Sequence, residues 1–127
     1  MTEIARIPVR ILLEKTGEAT GELIRFWAPR TVEAIVRALP LEGKAALWPG
    51  EIYFPVSVKM GLEKAKAMVE AGTIAYWPQG SALCLFHAQT KPYSPVNPIG
   101  KITGSLEPLK KAKQGTIIKM RKPEPPG

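Results

Sequence analysis

The only cysteine and the only histidine of the chain, Cys84 and His87, lie three residues apart in the stretch SALCLFHA. A thiol and an imidazole can form a nucleophile–base pair when the ring reaches the sulfur. The spacing argues against that pairing, because the stretch reads as a strand and residues three apart on a strand point to opposite faces. His87 is flanked by Phe86 and Ala88, with no second ligating side chain beside it, whereas a metal site needs three or four such groups. Cys84 sits between Leu83 and Leu85, and a thiol in apolar surroundings is inert. One cysteine also excludes an internal disulfide. The residues therefore predict no catalytic group, no metal and no cofactor.

Ring-bearing side chains offer a different chemistry. Tyr53 and Phe54 precede Pro55, Trp77 opens a Pro78-Gln79-Gly80 turn, Phe86 follows on the next strand, and Tyr93 lies in the loop TKPYSPVNP. Aromatics at strand ends beside Pro and Gly can rim a pocket mouth, with a flat apolar face and a polar tip. Inward-facing aromatics also plug small barrels, and both readings stand. Glu51 is the nearest acid. Strand alternation puts Glu51 and Tyr53 on one face and Phe54 on the other. A Glu51 carboxylate aimed into a pocket would favour a cationic or hydrogen-donating ligand. Gly80 leaves backbone edges open to an extended peptide. Asn97, before Pro98, is placed to form a turn through its side-chain amide. The candidate ligand-binding set is Glu51, Tyr53, Phe54, Trp77, Gly80, Phe86, Tyr93 and Asn97.

The elements that must position this set can be read from periodicity. Ile7, Val9 and Ile11 alternate with Pro8 and Arg10, as in a half-buried strand. Pro8 cannot donate to a ladder, so its position should face an edge or a bulge. A Gly-containing turn over 15–22 leads to a second strand through Leu23, Ile24, Phe26 and Trp27. In APRTVEAIVRALP, Val32, Ile35, Val36 and Leu39 form one apolar helical stripe, with Pro29 at its start and Pro40 at its stop. Strands follow over 44–48 and 51–58 around Pro49-Gly50. The segment GLEKAKAMVEAG, Gly61 to Gly72, is rich in helix formers and predicts a second helix. Strands are expected over 73–77, 81–88, 99–106 and 114–120, with the Pro-rich loop between the second and third as either a rigid flap or a barrel crossover. Short strands at hairpin spacing with two short helices give a mainly β chain, a closed or nearly closed antiparallel barrel of about eight strands.

Composition sets the outer bounds. The chain has 127 residues, enough for one core, and 45% of them are hydrophobic. No apolar run is long enough to span a bilayer and no signal-like start is seen, so a cytoplasmic protein without membrane contact is expected. The formal net charge is +7. Its excess gathers at Lys110, Lys111, Lys113, Lys119, Arg121 and Lys122, which suggests a basic tail able to meet a weak anionic partner such as nucleic acid. One domain over 1–120 with a flexible, basic, Pro-rich tail over 121–127 is the expected organisation, and a homo-oligomer is compatible with it.

Several of these stretches also resemble a known family. WAPRTVEAIVRAL looks like the strand-to-helix passage of cyclophilins. GEIYFPVSV and TIAYWPQGSALCLFHAQTKPYSPVNPIGKI look more like the small archaeal and bacterial cyclophilin-like proteins of unassigned function. The resemblance runs from Trp27 to Ser105 and implies a cyclophilin-like barrel. It does not carry prolyl isomerase chemistry across, because KAALWPGEIYFPVSV lacks the Arg of the isomerase segment and the Gln-Gly-Gly strand. The leading expectation is a module that binds a small molecule or an extended peptide in an aromatic-rimmed cleft. Peptidyl-prolyl cis/trans isomerisation and nucleic-acid association through the basic segment are the alternatives.

Overall fold

The computed structural model describes residues 5–124. Strand β1 (Arg6–Leu13) pairs along its whole length with β2 (Gly17–Ile24). Ile7, Val9, Ile11 and Leu13 are buried, as the alternation requires. Pro8 lies beyond the reach of the other neighbour of β1, whose ladder covers only Arg10 to Leu13, so its missing N–H leaves no gap there. A 3-10 turn holds Arg25–Trp27, shortening the second strand relative to the sequence reading. Helix α1 (Pro29–Ala38) buries Thr31, Val32 and Ile35.

The remaining strands are β3 (Leu41–Lys44), β4 (Ala46–Trp48), β5 (Glu51–Pro55), β6 (Thr73–Trp77), β7 (Ala82–Phe86), β8 (Asn97–Ile102) and β9 (Ile117–Arg121). A short helix, α2 (Glu107–Lys111), precedes β9. All ladders are antiparallel, in the order β3-β9-β1-β2-β8-β6-β7-β5-β4. The two ends of this sheet meet: Gly43 of β3 packs so tightly on β5 that a Cβ there would lie 3.0 Å from Phe54 Cδ2. Only Ala45 separates β3 from β4. Taken as one bent strand they give eight staves, so the nearly closed barrel of about eight strands is the observed architecture.

The helix expected over Gly61 to Gly72 does not form. This stretch is an extended strap laid against the barrel. Lys66 exchanges both backbone hydrogen bonds with Val96, Val69 does the same with Thr90, and Lys64 takes a positive φ of 49°. Local helix propensity, worth a fraction of a kcal/mol per residue, yields to these tertiary pairings. The strap is tied down by side chains as well. The Tyr76 hydroxyl donates to the Val58 carbonyl at 2.7 Å and accepts from the Met60 amide at 3.1 Å. Glu63 caps α1 from a distance: its carboxylate accepts from the Arg30 and Thr31 amides and the Thr31 hydroxyl, at 3.0, 2.8 and 2.8 Å. Ala28, the residue before the helix, has no side chain for that work.

The second helix is therefore α2, a five-residue element too short to show an apolar period. It and β9 also absorb most of the basic cluster. Lys110 and Lys111 are on α2, while Lys119 and Arg121 are on β9, paired with β1 and β3. Ordered structure thus reaches Arg121, the first residue assigned to the tail, and the end of that tail, 125–127, lies outside the described residues. Among the described residues no helix is long and apolar enough to cross a membrane.

Candidate ligand-binding hollow

Three adjacent strands, β5, β7 and β6, have two differently furnished faces. Ile52, Phe54, Leu83, Leu85, Ile74 and Tyr76 point into the barrel and join its main core. The alternate residues, Tyr53, Cys84, Phe86, Ala75 and Trp77, point outward and form a second cluster with Val69 of the strap and Val96 of the Pro-rich loop. Cross-strand register sets Tyr53 opposite Cys84, and Cys84 opposite Ala75, so these outer side chains lie side by side. Ala75 is small, which leaves room above it.

The strap and the loop cover this outer face incompletely. Between loop and sheet remains a hollow of about 170 Å³, lined by Trp48, Glu51, Tyr53, Trp77, Cys84, Pro92, Tyr93 and Val96. Glu51, Cys84 and Val96 are deep, whereas Trp48 and Tyr93 are 38% and 67% exposed and form the rim. The four rings follow one another edge to face. Trp48 and Tyr93 have centroids 6.0 Å apart at 86°, Tyr93 and Trp77 6.2 Å at 74°, and Trp77 and Tyr53 5.7 Å at 82°. Such perpendicular pairs are a favoured arrangement of ring quadrupoles.

Trp77 is held from two sides. Its indole N–H donates to Ser94 Oγ at 2.6 Å, tying the ring to the loop. Behind it, Gly80 lies so close that a Cβ would sit 2.3 Å from ring atoms Cε3 and Cζ3. Gly80 therefore backs the ring and does not line the hollow.

Among the described residues Glu51 is the one charged group in the lining. Burial pushes its carboxyl up to about 7, an effect that a hydrogen bond with Cys84 only partly opposes. The Cys84 thiol in turn is pushed well up, first by its own burial and then by the neighbouring Glu51. The sulfur is thus a protonated, weak donor to the carboxyl. Among the described residues no three metal-ligating side chains come together. His87 lies just past β7, outside the lining, and burial followed by the charge of Lys110 lowers its pKa.

Of the candidate set read from the sequence, Glu51, Tyr53, Trp77 and Tyr93 converge on the hollow. Phe54 points the other way, into the main core, fully buried. Phe86 shares the outer face but is sealed in the small cluster with Val69. Asn97 opens β8 and is fully buried: its amide donates to the Gly61 carbonyl at 2.9 Å and to Thr31 Oγ1 at 3.2 Å, and its oxygen accepts from the Glu63 amide at 2.9 Å. It fastens strap, helix and sheet, and forms no local turn. Trp48, Cys84, Pro92 and Val96 complete the lining without having been singled out as ligand contacts. Trp48 carries a usable signal, since Trp48-Pro49-Gly50 repeats the aromatic-Pro-Gly pattern that marks Trp77. A wider depression of about 740 Å³ between Phe26, Lys64 and Met68 has its charged lining, Lys64, Lys66 and Glu70, exposed to solvent.

The recess thus lies on the outer face of a nearly closed antiparallel barrel, beneath the Pro-rich loop. The Cyclophilin-like family matches residues 7–121, and the chain belongs to that family. Among solved structures it is similar to the hypothetical protein AF2241 from Archaeoglobus fulgidus, at 39% identity and a TM-score of 0.81 over 97% of this chain and 100% of that one. It is also similar to McbB, solved in complex with tryptophan, at 17% identity and a TM-score of 0.75; 94% of this chain is covered and 46% of that one, a likeness of fold. Comparison with curated proteins gives no match.

Proposed function

We propose that this protein binds a small molecule, or the terminal group of a larger one, in the hollow bounded by Trp48, Tyr53, Trp77 and Tyr93. The observation that carries the reading is the convergence of four rings and one buried carboxyl on a space that the fold leaves unfilled. Ligand sites combine apolar, aromatic walls with a few fixed polar groups in this way. Its volume of about 170 Å³ is below the range of about 300–1,000 Å³ that encloses a drug-sized ligand, so it suits a head group with the rest emerging at the rim. An extended peptide is the weaker choice. The edge offered by β4 is already engaged, since the Leu47 amide donates to Gln114 Oε1 at 3.2 Å and Ala45 exchanges backbone bonds with Gly115 and Thr116. McbB, which shares the fold, is a protein complexed with an amino acid, and a ligand of that size class is consistent with this hollow.

Two of the three tryptophans, Trp48 and Trp77, line the site, so intrinsic fluorescence reports on it. Titration with a panel of small metabolites and proline-containing peptides should give saturable quenching by a subset of the small molecules, lost in Trp77→Ala. No saturable change for any compound, with Trp77→Ala indistinguishable from wild type, would remove the reading.

A further inference from the structure

Glu51 has no evident task in the fold. Its strand is held by backbone ladders to β4 and β7. Yet Glu51 is only 4% exposed. Among the described residues its one resolved interaction is with the Cys84 thiol, and no Lys or Arg lines the hollow. A buried carboxyl without a cationic partner is costly to ionise. The missing partner is the clue to what the site accepts.

Resting on the binding reading above, we infer that the hollow recognises the ammonium head of an organic amine, with the Glu51 carboxylate as its counter-ion and the rings of Tyr53, Trp77 and Tyr93 as its wall. Ring faces carry negative potential and attract a cation lying within about 6 Å of the ring centroid. The carboxylate adds a full charge at the closed end, in a setting where water screens it little. Both elements repel an anionic group, and the carboxylate gives an apolar group no advantage over the cation. The enclosed volume of about 170 Å³ limits what enters to the head itself. The half-open rim at Trp48 and Tyr93 lets the remainder of the amine reach solvent.

The titratable groups that share the wall with Glu51 are the Cys84 thiol on β7, Tyr53 on its own strand and Tyr93 on the loop. The Cys84 thiol is raised well above its ordinary value, and Glu51 is raised to about 7. A bound ammonium requires the ionised carboxyl, so it displaces a proton below that pH. Affinity should fall toward a limit of about tenfold per pH unit on the acid side and level off above neutrality.

Isothermal titration and tryptophan fluorescence on the full chain provide the test, with choline and butylammonium as probes. Each is set against an uncharged carbon isostere, at pH 8 and pH 5. The expected result is binding of at least one ammonium about tenfold or more tighter than its isostere at pH 8. That advantage should disappear in Glu51→Gln and shrink by about a hundredfold or less, but at least tenfold, at pH 5. Equal binding of cation and isostere, or an ammonium preference that survives Glu51→Gln and acid, would overturn the amine assignment while leaving a small-molecule site in place. The pH series on unaltered protein keeps the question decidable if Glu51→Gln folds poorly. Absence of binding by both probes and isosteres, with Trp77→Ala giving the same traces, would overturn the site along with its ligand class.

Discussion

The two faces of β5, β7 and β6 are built from the same fifteen positions and end in opposite states. On the inner face Ile52, Phe54, Leu83, Leu85, Ile74 and Tyr76 fill the space completely, and each is at most 1% exposed. On the outer face, one residue along each strand, Tyr53, Trp77 and Cys84 stand around a space that nothing fills. The contrast has a simple source. The inner face meets other strands of a closed sheet, which bring side chains at regular spacing. The outer face meets a strap and a Pro-rich loop, which touch the sheet at a few points and leave the rest open. The packed core and the lining of the proposed binding hollow are thus divided between neighbouring residues of one strand.

The sharpest way to break this division is to truncate adjacent rings on β5. Phe54→Ala should cost about 3–5 kcal/mol in denaturant unfolding, as expected for a fully buried aromatic. Tyr53→Ala should cost clearly less while abolishing ligand-induced fluorescence quenching. Equal losses from the two would mean that the outer cluster is as much a part of the core as the inner one.

A second effect, nearly as large, concerns protons. Glu51 titrates near 7 in the folded chain, above its ordinary carboxyl value of 4.5, because it is desolvated. The native state therefore holds a proton that the unfolded state has released, and stability should decline as pH rises from about 4.5 to 7. The steepest slope attributable to this one group is about 1.4 kcal/mol per pH unit. Below that window its contribution is intact. Glu51→Gln should flatten this part of the profile, which unfolding curves at matched pH values would reveal. Superimposable profiles for wild type and variant would show that the outer face lets water reach the carboxyl.

Asn97→Ala tests what holds the strap over the outer face. It removes three hydrogen bonds, leaves the Gly61 carbonyl and Glu63 amide without their partner, and should cost about 1–3 kcal/mol. Hydrogen exchange should accelerate at the Glu63 amide and Val69 well before it does in β1 or β2. The smallest effect belongs to Ser94→Ala, which frees the Trp77 indole N–H at a cost of about 0.5–1.5 kcal/mol. Its readout is a red-shifted, more quenchable emission, and an unchanged spectrum would mean that the loop does not fix the ring.

Alternation along β5 was readable from residue order alone: the assignment of Glu51 and Tyr53 to one face and Phe54 to the other follows from the pleat, and both faces are where the pleat puts them. The barrel was equally accessible, because short apolar runs punctuated by Pro and Gly leave few other architectures. The strap was not. Its residues favour a helix locally, and the partners that override this preference, Val96, Thr90 and Asn97, come from a different part of the sequence. The same distance in sequence hides the real duty of Asn97, whose side chain bonds to groups near 31 and 61–63. Phe86 illustrates a third obstacle: periodicity gives it the correct face, but what seals it there is the covering strap, not its own strand. Trp48 was within reach, since like Trp77 it directly precedes a Pro- and Gly-containing turn.

One consequence follows from the recess lying outside the barrel wall. Its lining draws on one connecting segment, through Pro92, Tyr93 and Val96, and on outward side chains of the strands, so the stretch near 87–96 can be rewritten to reshape the recess without touching the interior. Such edits leave the buried interior in place, so a single durable frame can carry differently shaped recesses.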